Sequence, residues 1–219
     1  MALALYYHPF SSYSWKALIP LYEAGTPFEA RRLDDPAHDA DWKRLWPIAR
    51  FPVLVEVDSG LVLPEASIIV EYRDTHHPGP QPLLPADPDQ RLQVRLLDRL
   101  FDNYVNGAMQ RIVLDRMRDA ERRDPRGVEG AHTMLDACYA WLDAHMSERV
   151  WAAGAGFTLA DCAAAPALFY ADWIHPIGDR FPDLAAYRAR LLARPAMKRI
   201  VDDARPFRPL FPGGAPDRN

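Results

Sequence analysis

Cysteine is scarce in this 219-residue chain, which has only Cys138 and Cys162. Both fall in apolar helical patterns and neither belongs to a CxxC or metal-ligand set, so the pair reads as buried thiols in a reducing compartment. Long apolar runs are missing as well. The most apolar uncharged stretch, Cys162 to Ala171, spans ten residues and contains Pro166, far short of the ~20 residues a membrane-spanning helix needs. A basic amino-terminal region is absent: MALALYYHPF turns aromatic at once and reads as a first strand rather than a signal peptide. These absences predict a cytoplasmic protein with no membrane partner.

Nor is there an excess of positive charge. Residues 1–79 hold 7 Lys and Arg against 11 Asp and Glu, and residues 80–219 hold 19 against 19, so nucleic-acid binding through phosphate contacts has no support. Arg118, Arg122, Arg123 and Arg126 alternate with Asp119, Glu121 and Asp124, the pattern of a solvated helix end. No glycine-rich phosphate loop or H-E-x-x-H occurs. Gly154-Ala155-Gly156 is a turn, and His76-His77 beside prolines lacks the spaced partners of a zinc site. No metal is expected, and the chain has no internal repeat.

What is present is a globular composition, 49% hydrophobic and 26% charged, enough for one large or two small cores. Leu3 to Tyr7 is strand-like, with aromatic residues that read as packing. Ser14 to Ala24 places Leu18, Leu21 and Tyr22 on one helical face, with Gly25 as a stop, and Pro20 inside it predicts a bend. Phe28 to Leu33 is a second strand, parallel to the first if the helix crosses between them. Asp39 to Leu45 is a short helix ending before Pro47. His76 to Pro88 contains Pro78, Pro80, Pro82, Pro85 and Pro88, which forbids regular structure and marks a linker.

Beyond the linker the pattern is helical. Asp89 to Met117 carries Leu92, Leu96, Leu97, Leu100, Phe101, Tyr104 and Val105 at helical intervals, and a second helix runs from about Val128 to His145. Thr158 with Asp161 forms a capping box that opens a third. Pro182 to Leu192 and Ala196 to Asp203 complete a bundle, and the tail PFRPLFPGGAPDRN is expected to be irregular. The plan is an α+β two-domain protein: 1–79, a linker at 80–89, and an all-helical 90–219.

The stretch Arg50 to Tyr72, RFPVLVEVDSGLVLPEASIIVEY, organises the first domain. Val53 to Val57 and Leu61 to Leu63 are β-rich, and Asp58-Ser59-Gly60 between them has hairpin chemistry. Pro52 stands where a strand normally wants an N–H, which suits a specialised turn, and X-Pro bonds accept cis for about 0.5–1 kcal/mol. Phe51 would then offer its backbone to an extended peptide as an added strand. A helix begins near Glu65, and its free amides attract carboxylates. A strand-like edge beside an anion-binding helix end, with an acid at its mouth, suits a small peptide carrying carboxylates and an amine.

The run FPVL, a hairpin and PEASIIVEY resemble the glutathione transferase family, as do Gly156-Phe157-Thr158-Leu159-Ala160-Asp161 and Arg194-Pro195-Ala196. Four motifs in the family's order cover nearly the whole chain. The resemblance implies a thioredoxin-like first domain with βαβ-ββα order, an all-α second domain, glutathione as co-substrate, an apolar small-molecule electrophile and a homodimer. Its serine-using classes have SSCSWR where this chain has SSYSWK, which assigns the thiol-activating hydroxyl to Ser11, while theta and delta patterns favour Ser12. Only a thiolate attacks electrophiles, and the free thiol titrates near 8.5, so a hydroxyl donor and helix amides have chemistry to do here. The loop has no cysteine, which disfavours thiol–disulfide exchange.

The resemblance further implies that Phe51, beside Pro52, holds the cysteinyl backbone, Glu65 the γ-glutamyl amine and Arg50 the glycyl carboxylate. Ala66 departs from it, because the family places a serine there; Ser67, one helical step on, is the neighbouring hydroxyl. Tyr13, Tyr104 and Trp173 are the expected electrophile pocket. A zeta-like cis–trans isomerase and a non-catalytic binding protein, as in the stringent starvation protein family, are the alternatives.

Overall fold

The computed structural model describes residues 2–219. Four strands, β1 (Leu3–Tyr7), β2 (Glu29–Arg32), β3 (Val53–Glu56) and β4 (Leu61–Pro64), form one sheet in the order β2-β1-β3-β4. β1 and β2 run parallel, with Leu5 opposite Ala30, because helix α1 (Ser12–Glu23) crosses over between them. β3 lies antiparallel to β1 and pairs with β4 across a turn in which Gly60 has φ 73°, a conformation glycine adopts without steric cost.

Side chains alternate along β1, as strand geometry requires. Leu3, Leu5 and Tyr7 pack with Trp15 and Ile19 of α1 and Ile69 of α3 (Ala66–His76). Tyr6 points to the opposite face, where Val53 and Val55 meet Trp42 of α2 (Asp39–Leu45). The result is a thioredoxin-like sandwich. α1 starts two residues before its apolar periodicity does, because Ser11 caps it, and Pro20 lies within it without ending it.

The second unit is all-helical: α4 (Pro88–Leu100), α5 (Gly107–Arg116), α6 (Pro125–Met146), α7 (Leu159–Ile174), α8 (Pro182–Ala193) and α9 (Pro195–Ala204). α7 is buried along its whole length and packs against α1, Trp15 meeting Phe169 and Tyr170. One hydrophobic core therefore runs through both units. At the start of α7, the Asp161 carboxylate accepts from the Thr158 amide (2.8 Å), the Ala152 amide (2.9 Å) and the Tyr187 hydroxyl (2.6 Å), fastening α7 to α8. Between α3 and α4, Asp74 accepts from the amides of Leu83 and Leu84 and holds the proline-rich connection down.

Two expectations are corrected here. Asp89 to Met117 is not one regular helix: Phe101–Asn106 is a π-helical turn between α4 and α5. The apolar set read along it divides, with Leu97, Phe101 and Val105 buried and Leu92, Leu96 and Tyr104 facing outward. The tail is not irregular either. Arg205–Leu210 forms a 3-10 helix, and Phe211 is buried against Phe10, Tyr170 and Trp173. Arg208 fixes the turn back by donating to the carbonyls of Pro216 and Arg218. No helix among the described residues is long and apolar enough to cross a membrane.

Candidate functional site

The loop His8-Pro9-Phe10-Ser11 joins β1 to α1, and every backbone group that could let it swing is tied. Trp15 Nε1 donates to the Pro9 carbonyl (2.6 Å), the Tyr170 hydroxyl to the Phe10 carbonyl (3.0 Å), the Ser11 amide to the His8 carbonyl (3.1 Å) and the His8 amide to Ser14 Oγ (3.3 Å). Ser11 has extended backbone, and its Oγ accepts from the Ser14 amide at 3.3 Å. A hydroxyl that accepts with a lone pair still has its hydrogen to give. Ser12 lies one residue inside α1 and is 6% exposed.

Two chambers meet at this loop. The polar one, about 410 Å³, is lined by Arg50, Phe51 and Pro52, by Glu65 and Ala66 at the start of α3, and by Tyr13. Its opposite wall comes from the second unit, with Arg99, Asp102 and Asn103. The Phe51-Pro52 bond is cis. Glu65 adopts φ 72°, ψ 117°, a conformation that costs a residue with a side chain about 1–3 kcal/mol and collects at binding sites. It turns the chain so that the first amides of α3 open beside Ala66, at the positive end of the helix.

Ser67 does not line this chamber. It is 3% exposed and turned inward, accepting from Lys16 Nζ (2.8 Å) and donating to Asp98 (3.0 Å). Lys16 is itself buried and lies 2.5 Å from Asp98 and 2.6 Å from Asp102. One ammonium thus joins α1, α3, α4 and the π turn. Burial pushes the Asp102 carboxyl above its ordinary range, while Lys16 draws it back. Sequence reading misses this cluster because nothing in SSYSWK marks its lysine as interior.

The second chamber, about 400 Å³, is apolar. Phe10 and Tyr170 form one side, Met109 and Val113 of α5 with Met117 just past its end a second, and Leu210, Phe211 and Pro212 of the tail a third. His8, Ser11 and Ser12 reach it from the loop. Ser11, Phe51, Gln110 and Leu114 line both chambers. Ser11 stands at their junction, whereas Ser12 lines the apolar one.

Of the three residues expected in the electrophile pocket, none lines the apolar chamber. Tyr13 lines the polar one. Tyr104 is half exposed on the outer face, beside a separate hollow with Arg111 and Met134, because the π turn and α5 carry it away from the cleft. Trp173 is a core residue one layer back, its ring against Phe10 and Phe211. The walls of the apolar chamber itself left two signals in the sequence: Met109, Val113 and Met117 at i, i+4, i+8, and the aromatic density of PFRPLF. Tyr7, the other hydroxyl of the first strand, points to the α1 side beside Tyr22, and burial raises it to about 12. Among the described residues no group of three or more His, Cys, Asp or Glu is arranged to hold a metal ion.

Residues 1–75 match the family model for the glutathione S-transferase N-terminal domain and residues 119–190 the one for its C-terminal domain. A stringent starvation protein A homolog from Coxiella burnetii is 31% identical over 209 residues, covering 92% of each chain. The glutathione S-transferase GstB of Escherichia coli K12 is 27% identical over 190 residues, 85% of this chain and 91% of that one. Among solved structures, a glutathione S-transferase from Methylobacterium radiotolerans in complex with glutathione sulfonate superposes with a TM-score of 0.79 at 30% identity, over 92% of this chain and 95% of that one.

Proposed function

Because this chain belongs to the glutathione S-transferase family, we propose that it binds glutathione in the polar chamber and adds the thiolate to an apolar electrophile in the adjoining one. The observation that carries this reading is Ser11, which lines both chambers and whose hydroxyl accepts from the Ser14 amide. Phe51 lends its backbone to the cysteinyl residue, Arg50 meets the glycyl carboxylate and Glu65 the γ-glutamyl amine. At the γ-glutamyl carboxylate the α3 amides act without a hydroxyl from Ala66, and Arg99 across the chamber supplies positive charge. Lowering the thiol pKa by about two units needs roughly 2.7 kcal/mol, within reach of a charge-assisted hydrogen bond and a helix terminus together.

Ser11→Ala should lower kcat/KM for glutathione conjugation about 10²-fold and raise the pKa of bound thiol in an ultraviolet titration. Ser12→Ala should do neither, and a larger loss in Ser12→Ala would transfer the role. Glutathione-dependent isomerisation of maleyl substrates by the wild type, through reversible addition, would move the activity to a cis–trans isomerase.

The protein pairs as a homodimer through the outer face of α3 and α4, where Ile68, Leu92 and Leu96 are exposed around the Arg95–Glu71 ion pair. Its two free, buried cysteines suit the cytoplasm. A second reading, a non-catalytic binding protein, is favoured by the missing hydroxyl at Ala66 and by the inward turn of Ser67. Absence of any calorimetric heat or thermal shift with millimolar glutathione would select it.

A further inference from the structure

We propose that His8 is a catalytic hydrogen-bond donor in the apolar chamber, and that the electrophiles it selects are α,β-unsaturated carbonyl compounds. The proposal rests on the reading of that chamber as the place where glutathione thiolate meets its acceptor.

His8 lines the chamber together with Ser11 and Ser12. Its Nδ1 accepts from the Phe10 amide at 3.1 Å. A ring nitrogen that accepts carries no proton, so in the neutral imidazole the hydrogen sits on Nε2. No group among the described residues takes that hydrogen, and Nε2 is not sealed in the interior. The rings of Phe207 and Phe51, at 5.3 and 6.2 Å between centroids, fix the plane of the imidazole. Burial holds the ring's pKa below its ordinary value; Asp34 opposes this and Arg32 adds to it. His8 is therefore a neutral, oriented N–H donor at neutral pH, set among Phe10, Phe51 and Phe211, where a hydrogen bond to a developing charge counts for more than in water.

The chemistry that uses such a donor forms an oxyanion. Thiolate sulfur bonds to the β-carbon of the unsaturated carbonyl, the C=C π pair shifts toward the carbonyl, and the negative charge collects on its oxygen as an enolate. Nε2–H of His8 donates to that oxygen. The α-carbon then takes a proton from solvent, replacing the one the thiol released, so the sum is addition of S–H across the double bond with no change of oxidation state. An alkyl halide forms no oxyanion: its electron pair leaves on the halide, a weaker hydrogen-bond acceptor displaced on the side opposite the sulfur, and draws far less from His8.

The test compares an enone, benzylideneacetone, with benzyl chloride as acceptors of glutathione. His8→Asn keeps an acceptor for the Phe10 amide but is too short to place an N–H where Nε2 stands; His8→Gln places an amide N–H near that position. The ratio of kcat/KM for enone to that for benzyl chloride should fall at least tenfold in His8→Asn and return to within about threefold in His8→Gln, with glutathione affinity and thermal unfolding measured for each. An unmoved ratio in a folded, glutathione-binding His8→Asn overturns the assignment of His8 alone. A wild type that binds no glutathione overturns the underlying reading and the proposal with it.

Discussion

Ala66 stands at the start of α3, 5% exposed, where the polar chamber meets the helix amides. Ala66→Ser adds one hydroxyl to that wall and should tighten glutathione binding roughly five- to thirty-fold, about 1 to 2 kcal/mol for a hydrogen bond to a carboxylate. Titration calorimetry reads this directly, and an unchanged Kd would mean that the γ-glutamyl end lies elsewhere. At this scale the sequence is informative where chemistry is carried by local spacing. Arg50, Phe51 and Pro52 are consecutive, as are Glu65 and Ala66 one hairpin later, and the five meet around the chamber. It is silent where a partner comes from far away: Ser67 faces inward because Lys16 and Asp98 await it, 51 and 31 residues distant.

Among elements, the join between α4 and α5 and the fold-back of the tail carry the departures from the expected plan. Both depend on contacts distant in sequence: helical periodicity marks the rod but not the π turn that phases Asp102 toward Lys16 and Tyr104 outward. Strands and capped helices, by contrast, are written in short patterns, and β1, α2, β3 and α7 begin where those patterns place them. The Lys16 cluster gives the element scale its prediction. Lys16→Met leaves Asp98 and Asp102 buried without their cation and should cost about 3–5 kcal/mol in urea unfolding. An acid whose folded pKa is raised takes up a proton on folding, so that penalty is full above the raised value and shrinks as pH falls toward the ordinary one near 3.8. The Lys16→Met deficit should therefore narrow on acidification; a deficit independent of pH would mean that lost packing causes it.

On the scale of the whole molecule, the outer face of α3 and α4 leaves Leu92 and Leu96 64% and 55% exposed. Leu92→Asp with Leu96→Asp should shift sedimentation from dimer to monomer while the far-ultraviolet dichroism stays unchanged, and a wild type that sediments as a monomer would remove this interface. The buried ammonium of Lys16 also limits how the cleft can breathe. Prising the two units apart would strip one cation from two carboxylates in a dry interior, so a hinge motion between them is closed off. On the proposed reading, a bulky product leaves the apolar chamber by its solvent-facing rim, between Leu210 of the tail and Leu114 and Met117 opposite, all of them more than half exposed.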